Sequence, residues 1–182
     1  MKTVLLIGSS IFEQWNNIKD LVPGYSVKNC AIGGTTTSYW LEHLADVLTA
    51  ESTDVVLLYC GSNDVNHGVP EENIIANVSQ CCKIVHDLSP TTVFAYFSVI
   101  KAPQKSGKWE LIERLNSTIR IGLPTSDLYV ETNDVFFDDK LPMNHFFAKD
   151  GLHLTNEAYL ALLTYARPLI SNWTGVVPST ST

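Results

Sequence analysis

The feature that most constrains this chain is an alternation. Short unbroken apolar runs, of the kind that bury both faces of a strand, take turns with longer segments whose apolar residues recur every three to four positions. Residues 3–7 form the first run, closed by a turn signal at Gly8. Residues 25–29, after the Pro23-Gly24 turn, read as a second strand without such a run, and residues 54–60 form the third, with Val55-Val56-Leu57-Leu58 unbroken. Val93–Phe97 and Leu128–Val130 are the fourth and fifth. Between them, Ser9 or Ser10 caps a helix carrying Ile11, Trp15 and Ile18 at helical spacing. Trp40, Leu41, Leu44, Val47 and Leu48 predict a second helix, and Ile74, Ile75, Val78, Cys81, Cys82 and Val85 a third. A fourth spans 109–121, and a fifth starts near Thr155 and reaches the Pro168 region. Five strands alternating with five helices predict an α/β fold: an open, mostly parallel sheet with helices on both faces. Two stretches, 61–70 and 132–149, read as loops.

The 182 residues suit one domain, with a core of useful size. Residues 1–172 are expected to form it, and 173–182 a loose tail. A net charge of -7 argues against nucleic-acid binding, which needs a basic patch to replace counterions. No apolar stretch is long enough to cross a membrane, and the apolar part of the first eight residues is too short for a signal peptide. Cys30, Cys60, Cys81 and Cys82 form no C-x-x-C pair, and the adjacent Cys81 and Cys82 do not read as a disulfide framework. Reduced thiols and a cytoplasmic protein without metal or cofactor are expected. On a helix face Cys81 and Cys82 read as core. Asn77, Asn116 and Asn172 stand in glycosylation sequons that lack a secretory context.

In open parallel sheets, sites form beyond the carboxyl ends of the strands. Every polar cluster of interest falls at such an end. Ser10 follows the first strand and opens a helix, whose free N–H groups favour developing negative charge. Gly33-Gly34 follows the second and lets backbone N–H groups approach a ligand closely. Asn63, in Gly61-Ser62-Asn63-Asp64, follows the third with a neutral amide donor. Asp150-Gly151-Leu152-His153 comes after the fifth, with a carboxylate within one turn of an imidazole that it can orient. Taken singly, each is commonplace: a helix cap, a turn, a loop pair, a short acidic-histidine motif. Taken together they are a nucleophile, a base, an orienting acid and donors for an oxyanion. His43, His67, His86 and His145 show no ligand spacing and read as surface or core histidines, with His67 and His145 in candidate site loops.

These blocks, Ile7-Gly8-Ser9-Ser10-Ile11 through Trp15, Asn29-x-Ala31-Ile32-Gly33-Gly34, Gly61-Ser62-Asn63-Asp64 and Asp150-Gly151-Leu152-His153, resemble the four catalytic blocks of the GDSL-type, or SGNH, hydrolases, in family order. The first block resembles that of a subgroup reading G-S-S. Ser9 stands where the name-giving Asp is usual, and Ala31 where Gly is common. The resemblance implies a flavodoxin-like three-layer αβα sandwich with a five-stranded parallel sheet, and ester hydrolysis without a metal. It puts the nucleophile on Ser10 and the dyad on Asp150 and His153, with oxyanion donors on the Ser10 N–H, the Gly34 N–H and the Asn63 amide. The expected partner is a small-molecule ester with a short acyl group. Tyr39, Trp40, Phe146 and Phe147 are expected to wall a shallow cleft, with 132–149 as its cover. The alternative reading is a non-catalytic flavodoxin-like module for phosphate, flavin or another ligand, since the same sheet edge suits those too. Against it, neither G-x-G-x-x-G nor a Walker pattern is present.

Overall fold

The structure, a computed structural model, describes residues 1–50 and 52–175. Five strands form one parallel sheet: β1 (Thr3–Gly8), β2 (Ser26–Asn29), β3 (Val55–Tyr59), β4 (Val93–Phe97) and β5 (Leu128–Val130), in the order β2-β1-β3-β4-β5. Register is continuous across the centre, with Leu6 opposite Asn29 on one side and Leu57 on the other. The order reverses direction between β1 and β3, which makes the carboxyl ends of those two strands the topological switch point.

Strand side chains alternate between the two faces, and each face has its own core. Leu6, Leu57, Tyr59 and Phe97 point to one side, where α1 (Ser10–Glu13) contributes Phe12 and α7 (Asn156–Thr174) contributes Leu162, Ala166 and Ile170. Leu5, Ile7, Leu58 and Tyr96 point to the other. There α2 (Thr37–Ala50) brings Trp40 and Leu44, α4 (Glu71–Leu88) brings Ile74, Val78 and Cys81, and α5 (Trp109–Gly122) brings Ile112 and Leu115. This is the three-layer αβα sandwich, with flavodoxin-like strand order. Among the described residues no helix is long and apolar enough to cross a membrane.

Four local expectations change. The stretch 61–70 is not a loop throughout: α3 (Ser62–His67) lies in it, closed by Gly68 at φ 71°. The first helix stops at Glu13, and Trp15 and Ile18 reach the core from the turns that follow. The stretch 132–149 is folded, with α6 (Asn133–Phe136), a hairpin of β6 (Phe137–Asp138) and β7 (Leu141–Pro142), and a 3₁₀ turn at Asn144–Phe146. Finally, α7 continues through Pro168 to Thr174. Proline deletes one intrahelical donor, but the buried stripe of Leu162, Leu163, Ala166 and Ile170 spans it and holds the helix together. Trp173 therefore belongs to the helix, its indole donating to the Ser126 carbonyl at 2.8 Å. The rest of the expected tail, from 176 onward, lies outside the described residues.

Candidate active site

Gly8 decides how the chain leaves β1. It sits at φ 133°, and a Cβ there would lie 2.0 Å from the Tyr59 carbonyl oxygen. Only glycine allows this approach. The next residue, Ser9, donates its N–H to that same oxygen at 3.0 Å, so the end of β1 is pinned to the end of β3. Ser9 is buried and serves as the helix N-cap through its carbonyl, which accepts from Phe12 and Glu13, while its side chain makes no capping bond. Ser10 is thereby the first residue of α1, where the backbone N–H has no intrahelical acceptor.

The loop before α7 brings the imidazole. Gly151, at φ 67°, turns the chain, its N–H donating to the Ala148 carbonyl at 2.9 Å. The Ala148 N–H in turn donates to the His153 carbonyl at 2.8 Å, and the Gln104 N–H to the Gly151 carbonyl at 3.0 Å. Asp150 Oδ1 accepts from the N–H groups of Leu152 and His153 at 2.9 and 3.0 Å. Its Oδ2 lies 2.6 Å from His153 Nδ1. His153 Nε2 lies 3.1 Å from Ser10 Oγ, across 143 residues of sequence. With Asp150 on Nδ1, the ring carries its proton there, and Nε2 is left to accept from the serine hydroxyl. The His153 contact, then the Leu152 and His153 N–H groups, pull the Asp150 carboxyl from an ordinary 3.8 to about 2. The side chains remain partly open to water, 51% exposed for Asp150 and 31% for His153, so a ligand can reach them directly.

Two further loops converge on Ser10. Ile32 donates its N–H to the Gly8 carbonyl at 2.9 Å, which sets Gly33-Gly34 beside the end of β1. Gly34 sits at φ 80°, and Gly33 is packed so closely that a Cβ would meet the Glu13 carboxylate at 2.6 Å. Thr35 Oγ1 lies 2.9 Å from the Gly8 carbonyl and accepts from the Trp40 indole at 3.0 Å. Asn63, in the first turn of α3, donates Nδ2 to the Thr35 carbonyl at 2.8 Å, which uses one of its two amide protons. Asp64 behind it is buried, and accepts from both the N–H and the hydroxyl of Thr37 at the start of α2. The carboxylate thus ties α3 to the glycine loop and fixes Asn63 against it.

Ser10, His153 and Asp150 are therefore joined by hydrogen bonds, with Gly34 on the loop that bonds to the end of β1 and Asn63, in α3, bonded to that loop. The expected cleft walls fare differently. Trp40 is 1% exposed and belongs to the core beneath Thr35. Phe146 and Phe147 turn inward onto Phe136, at centroid distances of 5.8 and 6.0 Å. Aromatic area of that size stabilises more when buried than when left in water, and the 132–149 segment uses it to brace the His153 loop rather than to cover it. Tyr39 stays half-buried, stacked on His43 at 4.1 Å. His145 stands 3.9 Å from Glu157. Ile32, next to Gly33, is an exposed aliphatic at 44% and was not singled out by sequence. Thr35, Thr37 and Asp64 were missed as well; the glycine after α3 was the one available sign that a helix held Asn63 and Asp64.

A model of the GDSL-like lipase/acylhydrolase family matches residues 6–161. No curated protein matches the chain. Among solved structures, a GDSL-like lipase from Bacteroides thetaiotaomicron VPI-5482 is similar at 21% identity and TM-score 0.76, over 94% of this chain and 88% of its own. A Clostridium thermocellum family 3 carbohydrate esterase is similar at 16% identity and TM-score 0.74, over 96% and 98%. An acetyl esterase mutant solved with acetate ion is similar at 17% identity and TM-score 0.74, over 97% and 100%. At these identities the likeness to the three structures is one of fold.

Proposed function

The chain belongs to the GDSL-like lipase/acylhydrolase family, a family of hydrolases, and from that premise we propose that it is a serine esterase acting on short-chain acyl esters through an acyl-enzyme. The observation that carries the reading is the chain of contacts from Asp150 Oδ2 to His153 Nδ1 and from His153 Nε2 to Ser10 Oγ. The Ser10 hydroxyl oxygen attacks the ester carbonyl carbon as its proton passes to His153 Nε2. Asp150 steadies the imidazolium formed. Negative charge on the former carbonyl oxygen is met by the Ser10 N–H, the Gly34 N–H and the second amide proton of Asn63. As the carbon–alkoxy bond breaks, His153 returns its proton to the departing alcohol, and Ser10 keeps the acyl group. Water then attacks the acyl carbon, giving a proton to His153, which hands it back to Ser10 Oγ as the acid leaves.

The short acyl preference is supported by the openness of Asp150 and His153 and by the inward turn of Trp40, Phe146 and Phe147. Exposed Ile32 and half-buried Tyr39 are the apolar surfaces left near the glycine loop. The acetate held by the acetyl esterase mutant of the same fold points the same way. The test is turnover of p-nitrophenyl acetate by the wild type and by His153→Ala. We expect hydrolysis by the wild type and a loss of at least about 10³-fold in kcat with the base removed. Equal turnover by both, or none by folded wild type on any short ester, contradicts the proposal.

A further inference from the structure

At the opposite, amino-terminal end of the sheet, three side chains outside the candidate active site converge. Cys82 and His86 stand one turn apart on the same face of α4, and Asp127 precedes β5. Cys82 Sγ lies 3.0 Å from Asp127 Oδ2, and His86 Nε2 lies 2.9 Å from the same oxygen. The Asp127 side chain is wholly buried and that of His86 is 29% exposed. The three ligand-type atoms lie within 4.8 Å of one another. Next to them, between α4 and α5, is a cavity of about 370 Å³ whose lining includes Ile75, Val78, Cys82, His86, Ile119 and Leu123.

We propose that Cys82, His86 and Asp127 bind a divalent transition ion of the zinc class, with its fourth coordination position turned to the cavity between α4 and α5. Sulfur, nitrogen and oxygen donors together are the zinc set, and three protein ligands leave one position for water or a small ligand. The charges agree: one thiolate and one carboxylate neutralise one divalent ion in a half-buried place, and the imidazole binds neutral. Binding exchanges the thiol proton of Cys82 for the metal, and that proton leaves to solvent. Bonds of 2.0–2.3 Å in a tetrahedron set neighbouring ligand atoms about 3.3–3.8 Å apart. The hydrogen-bonded contacts of 2.9 and 3.0 Å to Asp127 therefore open by less than 1 Å, while Cys82 Sγ and His86 Nε2, one helix turn apart and within 4.8 Å of each other, come to the same spacing by side-chain rotation.

Cobalt(II) is the probe, added to the whole protein after dialysis against a chelator. One equivalent should bind with the intense visible bands of a tetrahedral ion and a thiolate-to-cobalt charge-transfer band, and zinc should displace it. Cys82→Ser should remove the charge-transfer band, and both Cys82→Ser and His86→Gln should weaken binding by at least about tenfold. Zinc at a hundredfold excess over its Kd should raise the wild-type Tm by roughly 5–10 °C. His153→Ala should leave the cobalt spectrum unchanged. Weak octahedral bands only, a charge-transfer band that survives in Cys82→Ser, or a spectrum lost in His153→Ala would each overturn the proposal. If Cys82→Ser fails to fold, His86→Gln decides by affinity alone: unchanged cobalt binding there overturns it too.

Discussion

Asn63 shows how one side chain serves two tasks. One amide proton holds the Thr35 carbonyl, and the other is the proposed oxyanion donor. Asn63→Ala should lower kcat about 10²–10³-fold, or about 2.7–4 kcal/mol, with a small change in KM. Steady-state kinetics beside circular dichroism checks this; a raised KM with kcat intact would make Asn63 a binding residue instead. Asp150 gives a prediction in pH. Its carboxyl lies below its ordinary range, so the carboxylate form is bound more firmly in the folded chain. That stabilisation is present above about pH 4 and is lost as pH falls through about 2. Carboxyl NMR should find Asp150 titrating near 2, and His153→Ala should raise the midpoint while the Leu152 and His153 N–H groups keep it below 3.8. No movement in that variant would mean that the imidazole is not its partner. Ser10, Asp150 and His153 could be singled out in sequence because their blocks, each commonplace alone, stand together in the order the hydrolase family shows. Thr35 and Asp127 were not, because their partners lie 27 and 45 residues away and only the topology brings them together.

Element α3 was hidden by its own polarity. Ser62-Asn63-Asp64 carries no apolar period, and the helix is held instead by the side chain of Asp64 reaching the first N–H of α2. Asp64 is 1% exposed and accepts from Thr37 Oγ1 at 2.6 Å. Asp64→Ala should strand two buried donors and cost about 2–4 kcal/mol in urea unfolding, with Asp64→Asn recovering part of it. A loss under about 0.5 kcal/mol would show that the glycine loop stands without this tie. The stretch 132–149 was illegible for a related reason. Its order comes from Phe136, Phe146 and Phe147 packing on one another and from the Thr155 N–H donating to the Phe146 carbonyl at 2.9 Å, none of which has a sequence period. By contrast β3 and β4 were legible within a residue, since Val55–Tyr59 and Val93–Phe97 are apolar throughout and bounded by turns. One sequon also acquires a structural meaning: Asn116 is buried, its side chain bonded to both the N–H and the carbonyl of Val99, so it is no glycan acceptor in the folded protein.

At the scale of the molecule, the alternation of strands and helices gave the layers, and the strand order gave the site. Because β1 and β3 are neighbours whose flanking helices leave on opposite faces, Ser10 and Asn63 emerge side by side at one edge, and α7 returns His153 to it. A site at this end of the sheet, with the Asp150 and His153 side chains partly open to water, has little apolar depth. A long acyl chain would leave most of its methylenes in water and gain little of the roughly 0.8 kcal/mol each can yield on burial. On p-nitrophenyl esters, kcat/KM should peak between acetyl and butyryl and fall by octanoyl; a maximum at palmitoyl would reveal an acyl tunnel. The central claim is that Ser10 is the nucleophile, activated across 143 residues of sequence by His153. A fluorophosphonate probe followed by peptide mass spectrometry addresses it most directly. The account predicts a single adduct on Ser10, lost in Ser10→Ala and strongly slowed in His153→Ala; an adduct on another residue, or none on folded wild-type protein, would contradict it.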